Sequence, residues 1–178
     1  MDKHKLIENL LDLDEEAYFL FSDDEGIVQQ RFEVIVVGSS SLILKDLIAR
    51  GTRDTDILRA PRQLVPLLEK YNMNMRVVSY LDSFPYNYED RLTLLPIAGR
   101  IIDFYSPAVE DLIVSKLYRN ESHDLEDFQS IFDAVSVDWH ILDELVYDDN
   151  EAKAAMSISR RYEEMVNSYE SLKEACQQ

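Results

Sequence analysis

The chain has 178 residues, 46% of them hydrophobic, which allows one compact domain or a core with a helical appendage and excludes wholesale disorder. Its 35 acidic residues outnumber 18 basic ones, and the formal charge of -17 disfavours free nucleic acid as a partner while leaving small nucleotides, neutralised by metal ions and a few basic groups, open. The apolar runs at 32–38 and 92–102 are too short to span a bilayer, the N-terminal segment shows no small-residue cleavage site, and a lone Cys176 predicts a reducing, cytoplasmic setting without an internal disulfide.

In chain order, Leu6, Ile7, Leu10, Leu11 and Leu13 have helical spacing and predict a helix over 5–21. The acids at 12, 14, 15 and 16 read as a solvated face, and Asp23-Asp24-Glu25-Gly26 as an acidic turn. The β-branched run FEVIVVG at 32–38 predicts a buried strand. Ser39-Ser40-Ser41 then opens a helix with Leu42, Ile43, Leu47 and Ile48 on one face, ended by Gly51-Thr52. Residues 54–58 predict a short strand, and Pro61 starts a helix that stops near Tyr71. Strands are expected at 75–80, 92–98 and 100–105, with a polar-aromatic loop at 82–91. Everything after Ser106-Pro107 reads as helix: 109–119, 125–135, 139–146 and 151–176. The expected division is an N-terminal helix and acidic turn at 1–31, an α/β core at 32–106, and a helical region at 107–178 packing on the core.

The residues suited to chemistry concentrate in VIVVGSSSLILKDLIARGTRDTDIL, residues 34–58. At Gly38 the missing Cβ permits a tight turn, and Ser39 and Ser40 stand at a helix mouth whose free N–H groups attract phosphate. The same serines serve equally as helix caps. Asp54 and Asp56, two apart on a strand, project from one face with Cα atoms roughly 6–7 Å apart. A pair so placed grips hard divalent cations, or else forms a solvated acidic strand end. Arg50 and Arg53 flank the acids and suit either phosphate or an aspartate. His4 and His140 lack companions at ligand spacing, so zinc is not expected.

Taken in order, Val37-Gly38-Ser39, a short helix, then Asp54-Thr55-Asp56 resembles the nucleotidyltransferase superfamily typified by DNA polymerase beta. With Arg50-Gly51-Thr52-Arg53 ahead of the acids, the pattern is most similar to bacterial nucleotidyltransferase-like proteins related to abortive-infection and toxin–antitoxin systems. Ser39 stands where a second glycine is often found, and Thr55 at a usually apolar position. The resemblance implies an α+β nucleotidyltransferase fold, a small mixed sheet flanked by helices with a helical C-terminal region. It implies Mg2+ or Mn2+ at Asp54 and Asp56, a nucleoside triphosphate (NTP) as substrate, and transfer of a nucleoside monophosphate to an acceptor hydroxyl. A third metal-binding carboxylate is implied from a neighbouring strand, and Asp103, which interrupts an otherwise apolar strand, is the candidate. The segment PAVEDLIVSKL, followed by Arg119 and by His123-Asp124-Leu125-Glu126-Asp127, carries the resemblance on to residue 132. There Lys116 would contact the triphosphate, and Asp124 or Asp127 would orient it or brace a helix; His123 stands where the family has Lys or Arg. The alternative is a catalytically idle module of the same fold, such as one component of a toxin–antitoxin pair, with a basic protein partner against 151–176.

Overall fold

Helix α1 (Lys3–Phe21) begins where the Asp2 carboxylate accepts a hydrogen bond from the Lys5 N–H at 2.9 Å, and its apolar stripe buries Leu6, Leu10, Leu13 and Ala17. This is a computed structural model of the chain, and it describes residues 1–23, 31–76, 83–85, 87–120, 124–147 and 160–176. The chain divides into two compact units, Met1–Ser79 with Leu92–Pro107, and Tyr80–Arg91 with Ala108–Gln178.

The first unit is built on a four-stranded mixed sheet in the order β2-β1-β4-β3. Strand β1 (Phe32–Val37) lies between β2 (Asp56–Arg59), to which it is antiparallel, and β4 (Ile102–Ser106), to which it is parallel. The short β3 (Thr93–Leu94) pairs antiparallel with β4. A central strand is covered on both faces, which is why β1 reads as a continuous apolar run; of its residues only Glu33 is exposed. Helix α2 (Gly38–Leu44) follows β1 directly. A 3-10 turn at Arg62–Leu64 runs into α3 (Val65–Lys70), and α1 packs against both α2 and α3.

Two elements are shorter than their sequence suggests. Helix α2 stops at Leu44 because Asp46 adopts a left-handed φ of 60°, although Leu47 and Ile48 still reach the core. The apolar stretch after Leu92 keeps only two residues in the ladder, while Leu95 and Ile97 are buried beside it. The acidic turn beyond Asp23 lies outside the described residues, as do residues 77–80 of the strand expected at 75–80, whose first two residues, Met75 and Arg76, are not in a strand.

One loop of this unit is held from both sides. Asp14, buried in α1, accepts hydrogen bonds from the N–H groups of Arg100, Ile101 and Ile102 at 2.6, 3.0 and 2.8 Å. The Arg31 guanidinium donates to the carbonyls of Gly99, Arg100 and Ile102 on the same loop. Asp14 is therefore a buried anchor that aims the chain into β4, not part of a solvated acidic face.

The second unit is helical: α4 (Val109–Arg119), α5 (Asp124–Ala134), α6 (Trp139–Tyr147) and α7 (Arg160–Cys176). Acids in the first turn of α4 and Lys116 and Arg119 in its last complement the helix dipole, and Asn120 ends it at a left-handed φ of 53°. Helix α4 packs on each of the other three. Arg91 donates to both oxygens of the fully buried Asp111, at 3.0 and 2.6 Å; burial still pushes that carboxyl above the usual carboxylate range, against the pull of Arg91. Between α6 and α7, Tyr169 and Lys173 both donate to Asp143. Residues 151–159 of the expected last helix lie outside the described residues. Among the described residues no helix is long and apolar enough to cross a membrane.

Candidate functional site

The end of β1 is shaped by Gly38, whose φ of +63° turns the chain straight from strand into helix. A second requirement comes from across the ladder. Asp56, the first residue of β2, pairs with Val37, and a Cβ at Gly38 would lie 2.5 Å from Asp56 Oδ2. The bare glycine backbone thus forms the floor on which the Asp56 carboxylate sits.

The three serines after it have three different environments. Ser39 is half-buried and its hydroxyl accepts a hydrogen bond from Arg50 at 2.8 Å. Ser40 is fully buried; its hydroxyl donates to the Val37 carbonyl at 2.8 Å and accepts from the Asp56 N–H at 3.2 Å. Ser41, also buried, pairs with the Ser106 hydroxyl on β4. Ser40 is consequently a strut that ties the end of β1 to the start of β2, and its hydroxyl is engaged on both sides instead of being offered to a phosphate. Gly38 and Ser39 remain at the mouth.

Asp54 and Asp56 are half-buried, whereas Thr55 between them is 2% exposed. The strand expected at 54–58 runs instead from Asp56 to Arg59, so Asp54 stands in the bend before β2 and the buried Thr55 joins it to the strand. Upstream, the Thr52 hydroxyl donates to the Asp54 carbonyl at 3.1 Å, which shapes the turn. Asn74 lies on the other side of Asp56, and its side-chain amide donates to Asp56 Oδ1 at 2.7 Å. Of the flanking arginines, Arg50 is drawn to Ser39 and Arg53 is exposed.

Asp103 is not brought to this pair. In the parallel ladder it stands beside Glu33, four residues before Val37, an offset of about 13 Å at strand rise. Its carboxylate is ion-paired with Arg31 at 2.9 Å, so the guanidinium offsets the cost of a charge in an apolar strand. Among the described residues no group of three or more His, Cys, Asp or Glu is placed to hold a metal ion. Of the three expected carboxylates, Asp54 and Asp56 stand two residues apart at the start of β2, and Asp103 stands elsewhere in the sheet.

In the second unit Lys116 is 3% exposed, and its ammonium donates to Asp124 at 2.6 Å and Asp127 at 2.7 Å, both of them buried. Arg119 adds a bond to Asp124 at 3.1 Å. The cluster fastens α4 to α5, and the Lys116 ammonium is held between two buried aspartates. His123 lies outside the described residues.

Asn74 is the site residue that sequence reasoning missed. Nothing in YNMNMR marks it, because its partner lies 18 residues away and the backbone alone brings them together. Asp14 did carry a signal: it falls four residues after Leu10 and three before Ala17, on the apolar stripe of α1.

No curated protein and no solved structure matches the chain. Over residues 8–177 it does match a family described as a nucleotidyltransferase of unknown function (DUF6036), in keeping with the mixed sheet, the Gly38 turn and the paired aspartates. The chain belongs to this nucleotidyltransferase family.

Proposed function

We propose that the chain binds an NTP together with Mg2+ or Mn2+ through Asp54 and Asp56 and transfers its nucleoside monophosphate to an acceptor hydroxyl. The acceptor oxygen gives up its proton to solvent and forms a bond to the α-phosphorus, the bond from that phosphorus to the bridging oxygen breaks, and pyrophosphate leaves with the electron pair. The observation that carries the reading is the seating of the Asp56 carboxylate on the Gly38 backbone, with a half-buried Asp54 two residues before it, within a chain of nucleotidyltransferase family. Carboxylate oxygens fit a hard divalent cation, so these two residues would hold it. Such a cation, when bound, neutralises phosphate charge and lowers the pKa of an attacking hydroxyl. Gly38 and Ser39 border the position a phosphate would take, and Arg50, anchored on Ser39, would add positive charge there. A charge of -17 favours a small-molecule or protein acceptor over RNA.

Thermal-shift titration with each of the four NTPs, with and without Mg2+, tests this. Stabilisation is expected only with metal, and is expected to vanish in Asp54→Ala and Asp56→Ala; no response to any triphosphate would sink the reading. One observation favours a second reading, a nucleotide-binding module without turnover: Asp103 is committed to Arg31 and adds no third carboxylate. For that module, as for one component of a toxin–antitoxin pair, binding would persist while radiolabel transfer to lysate proteins or small molecules stays absent.

A further inference from the structure

We propose that Asn74 is a positioning residue for the metal-binding pair: its side-chain amide fixes the Asp56 carboxylate in the orientation in which it meets the cation. The inference rests on the reading of Asp54 and Asp56 as the metal-binding residues.

Four hydrogen bonds define how Asn74 is held. Its backbone N–H donates to the Thr55 carbonyl at 2.8 Å, and its carbonyl accepts from the Ile57 N–H at 2.9 Å, so it straddles Asp56 from the outer edge of β2 in a parallel bridge. Its side-chain oxygen accepts from the Arg76 N–H at 3.0 Å, which settles the direction of the amide. The NH2 group is thereby turned to Asp56 Oδ1 at 2.7 Å. The chain reaches this position because Asn72, at a left-handed φ of 52°, ends α3 and the Met73 N–H bonds back to Leu68 at 2.9 Å.

The chemistry suits a ligand support. A neutral amide steadies one oxygen of a carboxylate without cancelling its charge, whereas Lys or Arg in its place would compete with a cation. An aspartate there would repel Asp56. Asp56 is thus fixed at three points, its N–H by Ser40, its Oδ1 by Asn74 and its carboxylate by the Gly38 floor. Partners that orient a ligating carboxylate typically change metal affinity by about 10–100-fold when removed.

The test is Mn2+ titration followed by electron paramagnetic resonance on the full chain, for wild type, Asn74→Ala, Asn74→Leu and Asp56→Ala, with metal-free melting temperatures as the folding control. Asp56→Ala is expected to abolish tight binding. Either Asn74 variant is expected to weaken Mn2+ by about 10–100-fold while the metal-free melting temperature stays near wild type. In the wild-type protein, the Asn74 side-chain amide resonances are expected to shift when Mg2+ is added, a signature that needs no variant to fold. Wild-type Mn2+ affinity in the Asn74 variants, or an amide signal unmoved by Mg2+, overturns the proposal and leaves the metal reading standing. Absence of Mn2+ binding in wild type overturns both.

Discussion

Gly38 shows most directly how a single residue constrains this site. Any other side chain there meets a left-handed backbone and the Asp56 carboxylate 2.5 Å from its Cβ. Gly38→Ala is therefore expected to cost about 1–2 kcal/mol from the backbone alone, measured by urea unfolding, and to weaken the Mg2+-dependent response to NTPs as Asp56 is displaced. Asp56→Asn is expected to keep the fold and lose that response, which separates the two effects. The turn at Gly38 was legible from the sequence, whereas the strand expected to carry both Asp54 and Asp56 starts only at Asp56. The role of Ser40 was not, since a serine after a turn caps, binds or braces according to what lies opposite it. Asp103 shows the same limit: a charge in an apolar strand demands a partner, and only the tertiary structure reveals that the partner is Arg31.

At the scale of elements, buried charge fastens one segment to another. Asp14→Ala would leave the N–H groups of Arg100, Ile101 and Ile102 without their acceptor and loosen the start of β4. Such a change is expected to cost at least about 3 kcal/mol in chemical denaturation. Lys116→Met would remove the ammonium that the buried Asp124 and Asp127 share, at an expected cost of about 3–5 kcal/mol. If Lys116 instead stood free for a ligand, this substitution would leave stability nearly unchanged. Among the described residues after Pro107, helix positions were readable from periodicity. Helix ends were less so, because α2 stops at a left-handed Asp46 that no cap residue announces.

For the whole molecule, the charge of -17 makes self-repulsion a global term, so raising NaCl from low to moderate concentration is expected to raise the melting temperature. Acid acts locally as well. The Asp143 carboxyl is held below its ordinary value of 3.8: burial raises it, but hydrogen bonds from Lys173 and Tyr169 outweigh burial. A depressed carboxylate contributes stability above its unfolded pKa and loses it as pH falls through the folded value. Below about pH 4 wild type is therefore expected to lose melting temperature faster than Asp143→Asn, the difference vanishing on approach to the acid limit. Sequence by itself determined the buried central strand, the glycine turn and the helices after Pro107, because periodicity and local sterics act within a few residues. Tertiary structure decided which charges are spoken for: Arg31 with Asp103, Asp14 with the β4 entry, Lys116 with Asp124 and Asp127, Asn74 with Asp56. Those pairings depend on which groups the fold brings within hydrogen-bonding distance, across separations of up to 88 residues, and no local pattern encodes them.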